Sequence, residues 1–480
     1  MTTPSAAIRE RLGHPVVDAD GHAIESTPLL LEYLRACGGP KLADRFVERV
    51  ETGGWAPAPV AERARRRIAR PSAWTLPTRN TLDRATAMLP RLLRTRLDDF
   101  GIDFAIVYST LALGVMSESD DDLRRGCCRA LNLMFADVFR EHADRMTPVA
   151  TIPAFTPDEA LEELEFAVRT LGFKAVMIDS NVRRPIPAAS ELDPQLGAYA
   201  TYIDTLALDS PYDYDPVWAK CMELKVAVTA HTPGMGYGSR VSTTNYAYNH
   251  IGNFAEAGAA FAKALVLGGV TKRFPRLNFA FLEGGVAWAS ELYAGLVSHC
   301  SKRNPTAIAN YDPRNLDVGK LSALMATYAT AGAPDPGDRD LARFPGGWHW
   351  DDDDLIGREW GKLGIERAED LRPLFEPNFY FGCEADDPLV SVGVDRRLNP
   401  FGARLKAIFS SDIGHWDVPD MSEVLAEAYE LVERGLLDEA DFEEFTFTNP
   451  VMLHAGMNPD FFAGTVVEEA AAKQLAVERP

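Results

Sequence analysis

The chain has 480 residues, of which 46% are hydrophobic and 25% charged, as is typical of a globular protein with a large core. The 70 acidic and 49 basic residues give a formal net charge of −21, which disfavours binding to nucleic acids or anionic membranes. Six cysteines without paired spacing indicate neither a disulfide framework nor a cysteine metal cluster. Because no secretory or membrane-spanning segment is evident, we expect a cytoplasmic protein.

Eight short apolar runs alternate along the chain with segments of helical spacing. They occupy residues 16–19, 104–108, 148–152, 175–178, 226–230, 278–282, 379–382 and 407–410. Near-continuous apolar strands that alternate with helices are typical of a parallel sheet, and eight of them predict a closed barrel. We therefore expect the α/β class and a (β/α)8 TIM barrel.

Two connections are much longer than ordinary loops between a strand and a helix. Residues 46–97 follow the first predicted strand, and residues 302–377 follow the sixth. Long insertions at the ligand face of a barrel typically build lids and substrate pockets. We interpret residues 1–480 as one barrel domain with these two insertions. In the first insertion, Trp74 and Arg79 are candidates for the substrate pocket, although Trp74 could equally serve only in packing.

Residues of the types that bind metals stand at the ends of three predicted strands. Asp20 and His22 are two positions apart on the first strand, so the period of two points both side chains the same way. His231 follows the fifth strand and Asp412 follows the eighth. In a closed parallel barrel, all the C-terminal strand ends meet at one face, where active sites lie. These four residues are therefore candidate ligands of one metal ion.

With these residues the chain resembles the amidohydrolase superfamily, in particular the branch of aminocarboxymuconate-semialdehyde decarboxylase and the resorcylate-type decarboxylases. The resemblance extends from residue 16 to residue 464 and rests on a set of motifs taken together. The motifs are Asp18-Ala19-Asp20-Gly21-His22, Gly101-Ile102-Asp103-Phe104, Leu171-Gly172-Phe173-Lys174-Ala175-Val176, Ala230-His231, Arg273-Phe274-Pro275-Arg276-Leu277, Leu282-Glu283-Gly284-Gly285 and Ser411-Asp412.

The resemblance implies that a divalent metal ion is held by four residues, which are Asp20, His22, His231 and Asp412. Zinc and manganese are both open, because the acid Asp20 stands where the commonest pattern has a histidine. Lys174 starts the fourth strand, at the wrong face for a carbamate that bridges two metals, so one ion is the simpler expectation. Members of this branch are often dimers, so the resemblance also allows a homodimer.

Three further residues are candidates beside the metal. Glu283 stands where many relatives have a catalytic histidine, and it is either a catalytic group or an acid that orients a ligand histidine. His250 is predicted to begin a helix after the fifth strand, and it either supplies the missing imidazole or lies on the surface. His415, three residues after Asp412, is expected to orient the substrate.

Three functions remain open at this stage. The first is a metal-dependent hydrolase of a small carbonyl-containing or cyclic substrate, with metal-activated water, Asp412 as general base, and His250 or Glu283 assisting the leaving group. The second is a metal-dependent non-oxidative decarboxylase of an aromatic or unsaturated carboxylic acid. The third is an inactive barrel that only binds a ligand. We favour hydrolysis, because Glu283 in an already acidic site would repel an anionic substrate.

Overall fold

The structure is a computed structural model that describes residues 2–51, 58–72, 79–233, 236–237, 240–311, 315–330 and 358–478. Its strands are β1 (Val17–Ala23), β2 (Phe104–Ser109), β3 (Met146–Thr151), β4 (Ala175–Ile178), β5 (Val182–Pro185), β6 (Thr201–Asp204), β7 (Val228–Ala230), β8 (Phe279–Phe281), β9 (Phe379–Cys383) and β10 (Lys406–Phe409). All of these except β5 and β6 form one parallel sheet in chain order. The prediction of a TIM barrel with eight strands is confirmed.

Backbone hydrogen bonds join the first and last strands of the barrel at the ligand face. The amide of Asp412 donates to the Asp20 carbonyl at 3.0 Å, and the amide of His22 donates to the Ile413 carbonyl at 2.7 Å. Gly414 has a φ of +100°, and a Cβ at this position would lie 2.2 Å from the His22 carbonyl oxygen. A side chain at residue 414 would therefore push β1 away from the loop that follows β10.

The strands are buried because helices cover the outside of the barrel. All seven residues of β1 and all six residues of β2 are buried, charged positions of β1 included. This explains why the sequence shows apolar runs rather than the alternation of a half-exposed sheet. Aromatic rings pack between β8 and β9, where Phe281 contacts Phe379 and Phe381 at centroid distances of 5.2 and 5.8 Å.

Helices connect the strands and form the outer layer. The α-helices are Pro4–Arg9, Thr27–Glu51, Val60–Arg66, Thr81–Met88, Pro90–Arg96, Thr110–Val115, Asp121–Phe139, Pro157–Glu165, Pro187–Leu192, Asp215–Leu224, Tyr246–His250, Asn253–Leu267, Val270–Arg273, Ala287–Arg303, Val318–Tyr328, Arg358–Gly361, Arg372–Phe375, Val390–Val394, Val424–Glu433, Glu439–Glu443, Asn449–Ala455 and Glu468–Glu478. In the described part of the chain, none of the helices combines the length and apolar character needed to cross a lipid bilayer.

The structure adds an element that the sequence analysis did not predict. Strands β5 and β6 pair antiparallel as a hairpin between β4 and the helix Asp215–Leu224. Its first strand carries Arg183 and Arg184 where an apolar run would have signalled a strand. Arg184 is buried, where it forms an ion pair with Asp204 and donates a 2.9 Å hydrogen bond to the Tyr214 hydroxyl. The hairpin therefore depends on polar contacts that no hydrophobic pattern reveals.

Candidate metal centre

Strand β1 brings Asp20 and His22 into one small space at the ligand face. Both residues are buried, and Nε2 of His22 is 3.3 Å from Oδ1 of Asp20. The register of β1 against β2 shifts between Asp18 and Gly21, which interrupts the regular pleat at this point. Even so, the prediction that the two side chains point to the same place is confirmed.

Strands β7 and β10 bring the other two predicted ligands to the same space. Asp412 places Oδ1 at 3.5 Å from Nε2 of His22. His231 directly follows β7, and its Nε2 is 4.0 Å from Oδ2 of Asp20. Because these residues come from three separate strands, only the closure of the barrel brings them together.

The polar atoms that face this space have no other partners. Among the described residues, both oxygens of Asp20 and the Nε2 atoms of His22 and His231 are buried without a hydrogen bond. Leaving a buried polar group unsatisfied costs roughly 1–3 kcal/mol, and more when the group is charged. A set of carboxylate oxygens and imidazole nitrogens is one that zinc or manganese binds. The residues present therefore fit a divalent metal ion.

The two ligand-type histidines are held in their neutral form. Burial lowers the pKa of His231 to about 3 and lowers the pKa of His22 well below its ordinary value, and nearby His415 adds to both effects. A neutral imidazole keeps the lone pair that a metal ion needs. At neutral pH, both rings are therefore ready to act as ligands.

Asp18 ties β1 to the end of β10 beside the centre. Its carboxylate accepts hydrogen bonds from the amide of Ser411 at 2.9 Å and from the hydroxyl of Ser411 at 2.7 Å. It also accepts one from the amide of Asp20 at 3.2 Å. Because these bonds fix the backbone next to Asp20 and Asp412, Asp18 positions both acids. The sequence analysis quoted Asp18 in a motif but did not single out this role.

His415 contacts two of the predicted ligands. Its ring stacks on that of His22 with centroids 3.6 Å apart, and its Nδ1 is 2.7 Å from Oδ1 of Asp412. Its Nε2 is 3.1 Å from the hydroxyl of Thr110, which fixes the ring from the other side. The geometry is that of a residue that orients ligands, while the predicted contact with substrate remains a prediction.

Glu283 also faces the centre, and its backbone is strained. Oε2 of Glu283 is 3.2 Å from Nε2 of His231. Glu283 and Asp412 have φ values of +59° and +54°, in the left-handed region that non-glycine residues rarely adopt. Such strain costs on the order of 1–3 kcal/mol per residue and concentrates at functional sites. The distance is compatible with both predicted roles of Glu283, as a catalytic group and as an acid that orients His231.

The prediction that His250 begins a helix is wrong. His250 is the last residue of the helix Tyr246–His250, and a second helix, Asn253–Leu267, starts three residues later. Gly252, with a φ of +77°, makes the break between them. The sequence did not reveal this break, because a two-residue turn at a glycine changes the helical periodicity of the surrounding residues very little.

Aromatic rings enclose His250 at the mouth of the barrel. Its ring stacks on Tyr246 at 5.1 Å and contacts Phe254 at 5.5 Å and Trp416 at 4.9 Å. Burial lowers the pKa of His250, and His415 contributes to the same direction. Three rings from different elements therefore contact a partly buried imidazole, and the pocket and surface alternatives for His250 both remain predictions.

Two acids missed in the sequence analysis border the same space. Glu384 directly follows β9, and burial together with repulsion by Asp412 raises its pKa to about 8. Asp417 lies in the loop after β10, and burial raises its pKa to about 6. Glu384 could have been predicted as a site residue, because like His231 it is a polar residue that directly follows an apolar strand. Asp417 carries no such signal, because loop conformation alone brings it inward.

The structure separates other predicted residues from the centre or does not describe them. Trp74 lies outside the described residues, so its role stays a prediction. Arg79 is exposed, and its contact with substrate likewise stays a prediction. Lys174 donates to the Phe461 carbonyl at 2.8 Å, and it immediately precedes β4, at the end of the barrel away from the centre. The expectation that Lys174 bridges no metals is consistent with this position.

One family profile matches part of the chain. The profile of the family described as Amidohydrolase matches residues 84–312. This segment includes β2 to β8 and two of the residues at the centre, His231 and Glu283.

The chain is also similar to solved structures that are distant in sequence. One is a dihydroxybenzoic acid decarboxylase from Polaromonas sp. JS666 with bound manganese and 2-nitroresorcinol, at 15% identity, 92% coverage of this chain, 97% of that chain and a TM-score of 0.48. Another is an amidohydrolase from Mycobacterium avium subsp. paratuberculosis K-10, at 16% identity, 92% and 99% coverage and a TM-score of 0.49. A third is a 5-carboxyvanillate decarboxylase from Novosphingobium aromaticivorans, at 13% identity, 92% and 96% coverage and a TM-score of 0.44.

Proposed function

We propose that this chain is a member of the amidohydrolase superfamily and a metal-dependent hydrolase of a small, uncharged carbonyl-containing or cyclic substrate. The observation that carries the proposal is the acidity of the space beside the candidate metal centre. Glu283, Glu384 and Asp417 border that space, and the charged groups that act most strongly on Glu283 are all acids.

The proposed ligands of the ion are Asp20, His22, His231 and Asp412. A divalent ion held by them would lower the pKa of a bound water and polarise a substrate carbonyl. Asp18 and His415 would keep these ligands in place through their contacts with Ser411, His22 and Asp412. We expect zinc or manganese, since both accept carboxylate and imidazole ligands.

Asp412 is the proposed general base. Its Oδ1 lies 2.7 Å from Nδ1 of His415, and both of its carboxylate oxygens are buried without a hydrogen bond to any described residue. We assign to Oδ2, the oxygen that His415 does not contact, the role of accepting a proton from water and passing it to the leaving group. Burial, with repulsion by Asp417 and Asp18, raises the pKa of Asp412, which favours proton acceptance.

Glu283 and His250 are proposed to form the side of the site that receives the leaving group. Glu283 follows β8 and reaches the centre beside His231, and His250 lies behind it at the barrel mouth. Each offers an atom that can stabilise charge as the scissile bond breaks. The enclosure of His250 by Tyr246 and Trp416 keeps this side of the site rigid.

Decarboxylation remains the second candidate function, and the acidity of the site opposes it. A decarboxylase must bind its substrate as a carboxylate, which Glu283 and Glu384 would repel when ionised; burial raises the pKa of both, so this repulsion grows as the pH rises. An uncharged ester, lactone or amide meets no such repulsion. The same argument predicts that a change of Glu283 to an uncharged residue helps an anionic substrate and harms hydrolysis.

The test compares both reactions in the full chain loaded with zinc or manganese. We expect hydrolysis of uncharged esters, lactones or cyclic amides, and loss of most of it in Glu283→Gln. Glu291→Gln, an exposed acid on the helix after β8, is the matched control and should retain activity. Release of carbon dioxide from hydroxybenzoates by the wild type, equal or faster in Glu283→Gln, would reverse the order of the two candidates.

A further inference from the structure

We infer that His250, Glu283 and Asp417 form a second site for a divalent metal ion, next to the first centre. The inference deepens the proposed function and rests on it, because the second ion would lie on the side assigned to the leaving group. It goes beyond the expectation of a single ion, and it uses two residues, His250 and Asp417, that lie in loops and helix ends rather than on barrel strands.

The three side chains have the spacing of ligands around one ion. Each of His250, Glu283 and Asp417 offers one ligand atom, and these atoms all lie within 4.8 Å of one another. Two atoms bound to one ion at about 2.1–2.4 Å can be at most about 4.2–4.8 Å apart. One imidazole and two carboxylates are donors that zinc or manganese accepts, and their spacing is within the upper limit for shared coordination.

Glu283 supplies an independent sign that a ligand belongs here. Its side chain is only 3% exposed, and its Oε2 makes no hydrogen bond to any described residue, although Nε2 of His231 is 3.2 Å away. A buried carboxylate oxygen without a partner is costly, and coordination to a cation removes that cost. Since Glu283 contacts His231 and belongs to the second group, it is the residue shared by the two sites.

Several acidic side chains face one another around Glu283. The charged groups that act most strongly on Glu283 are Asp412, Glu384, Asp20 and Asp417, and all are acids. Those acting on Glu384 are Asp412 and Asp417, followed by two more acids. A cation bound among these carboxylates would offset their mutual repulsion.

The ligands of the second site are held in place before any ion arrives. Three aromatic rings enclose the imidazole of His250, and the strained backbone of Glu283 directs its side chain inward. Pre-organised ligands lose little conformational freedom on binding, which favours affinity. Asp417, like His250, is only partly buried, and it offers the simplest substitution for a test.

The experiment measures bound metal rather than activity. The full-length protein is stripped with a chelator, loaded with excess Mn²⁺, passed through gel filtration and analysed for metal. We expect two equivalents in the wild type, one in Asp417→Asn and one in His250→Gln. Asp386→Asn, an exposed acid that acts on Glu384 and Asp417 only through charge, is the matched control and should keep two. Paramagnetic resonance should show coupled Mn²⁺ ions in the wild type and isolated ions in Asp417→Asn.

The outcomes separate the two proposals. One equivalent in the wild type at saturating Mn²⁺ and at saturating Zn²⁺ would overturn the second site and leave the first intact. A second equivalent that survives both substitutions would also overturn the assignment to these residues. Absence of any bound metal would refute both sites. Thermal melting of each variant confirms that a lost equivalent does not reflect unfolding.

Discussion

The imidazole of His415 lies against the imidazole of His22, with ring centroids 3.6 Å apart and planes 21° from parallel. The same residue reaches Asp412 through its Nδ1, at 2.7 Å. His415 thus contacts two proposed ligands in different ways: its ring stacks on His22, and its Nδ1 makes a polar contact with Asp412. Substitutions can separate the contributions of these contacts.

We expect His415→Phe, which keeps the stacking and removes the polar contact, to retain bound metal and to lose activity. His415→Ala removes both contacts and should weaken metal binding by about 10–100-fold, the range found when partners of metal ligands are removed. Competition with a chromophoric chelator measures the affinity. Equal affinity and turnover in the wild type and both variants would show that His415 orients neither ligand.

His231→Ala should remove most of the tightly bound metal while the barrel stays folded. His231 supplies the only proposed first-centre ligand from β7, and the neighbouring unpartnered atoms of Asp20 cannot replace an imidazole. His299→Ala, on the outer helix Ala287–Arg303, is the control and should keep its metal. Elemental analysis and circular dichroism measure the two properties. Full metal content in His231→Ala would contradict the proposed ligand set.

Asp412→Asn should reduce turnover by on the order of a hundredfold or more, because an amide cannot accept the proton from water. Metal content must be measured in the same sample, since Asp412 is also a proposed ligand. A variant that holds metal and turns over at nearly the wild-type rate would mean that another group accepts the proton. Asp386→Asn should leave turnover unchanged and serves as the control.

The metal-free protein should lose stability as the pH rises, and Glu384 should contribute to the loss. Burial and repulsion by Asp412 raise the pKa of Glu384 from 4.5 to about 8 in the folded protein. A raised carboxyl pKa stabilises the fold below the unfolded value, and this contribution disappears as the pH rises through the folded value. Between pH 5 and pH 8, calorimetry should therefore show a smaller decrease in melting temperature for Glu384→Gln than for the wild type. Identical slopes would contradict the assignment.

Gly414→Ala should destabilise the protein by roughly 2 kcal/mol or more, because the new Cβ would clash with the His22 carbonyl oxygen and the residue has a positive φ. Gly435→Ala also has a positive φ, +68°, but its Cβ would meet no atom within 4 Å. The control should therefore lose only about 1 kcal/mol. Denaturant unfolding measures both. Equal losses would mean that the clash with His22 is relieved without cost.

The eight barrel strands and three of their ligand-bearing ends could be predicted from the sequence. Apolar runs mark these parallel strands because helices cover the outside of the barrel and most strand residues are buried. The two-residue spacing of Asp20 and His22 also placed both on one side of β1, as the 3.3 Å contact confirms. The single-domain organisation, the roles of the site residues and the homodimer remain predictions.

Only the tertiary structure showed which further side chains lie beside the candidate metal centre. Glu384 and Asp417 enter because barrel closure brings the ends of β9 and β10 beside Glu283, across more than one hundred residues of sequence. His415 reaches His22 because the loop after β10 hydrogen-bonds to β1, and Gly414 permits that approach. Strand periodicity acts over a few residues, whereas these contacts depend on how distant segments pack. The sequence thus determined the barrel and its candidate ligands, and packing determined the acidity and enclosure of the site.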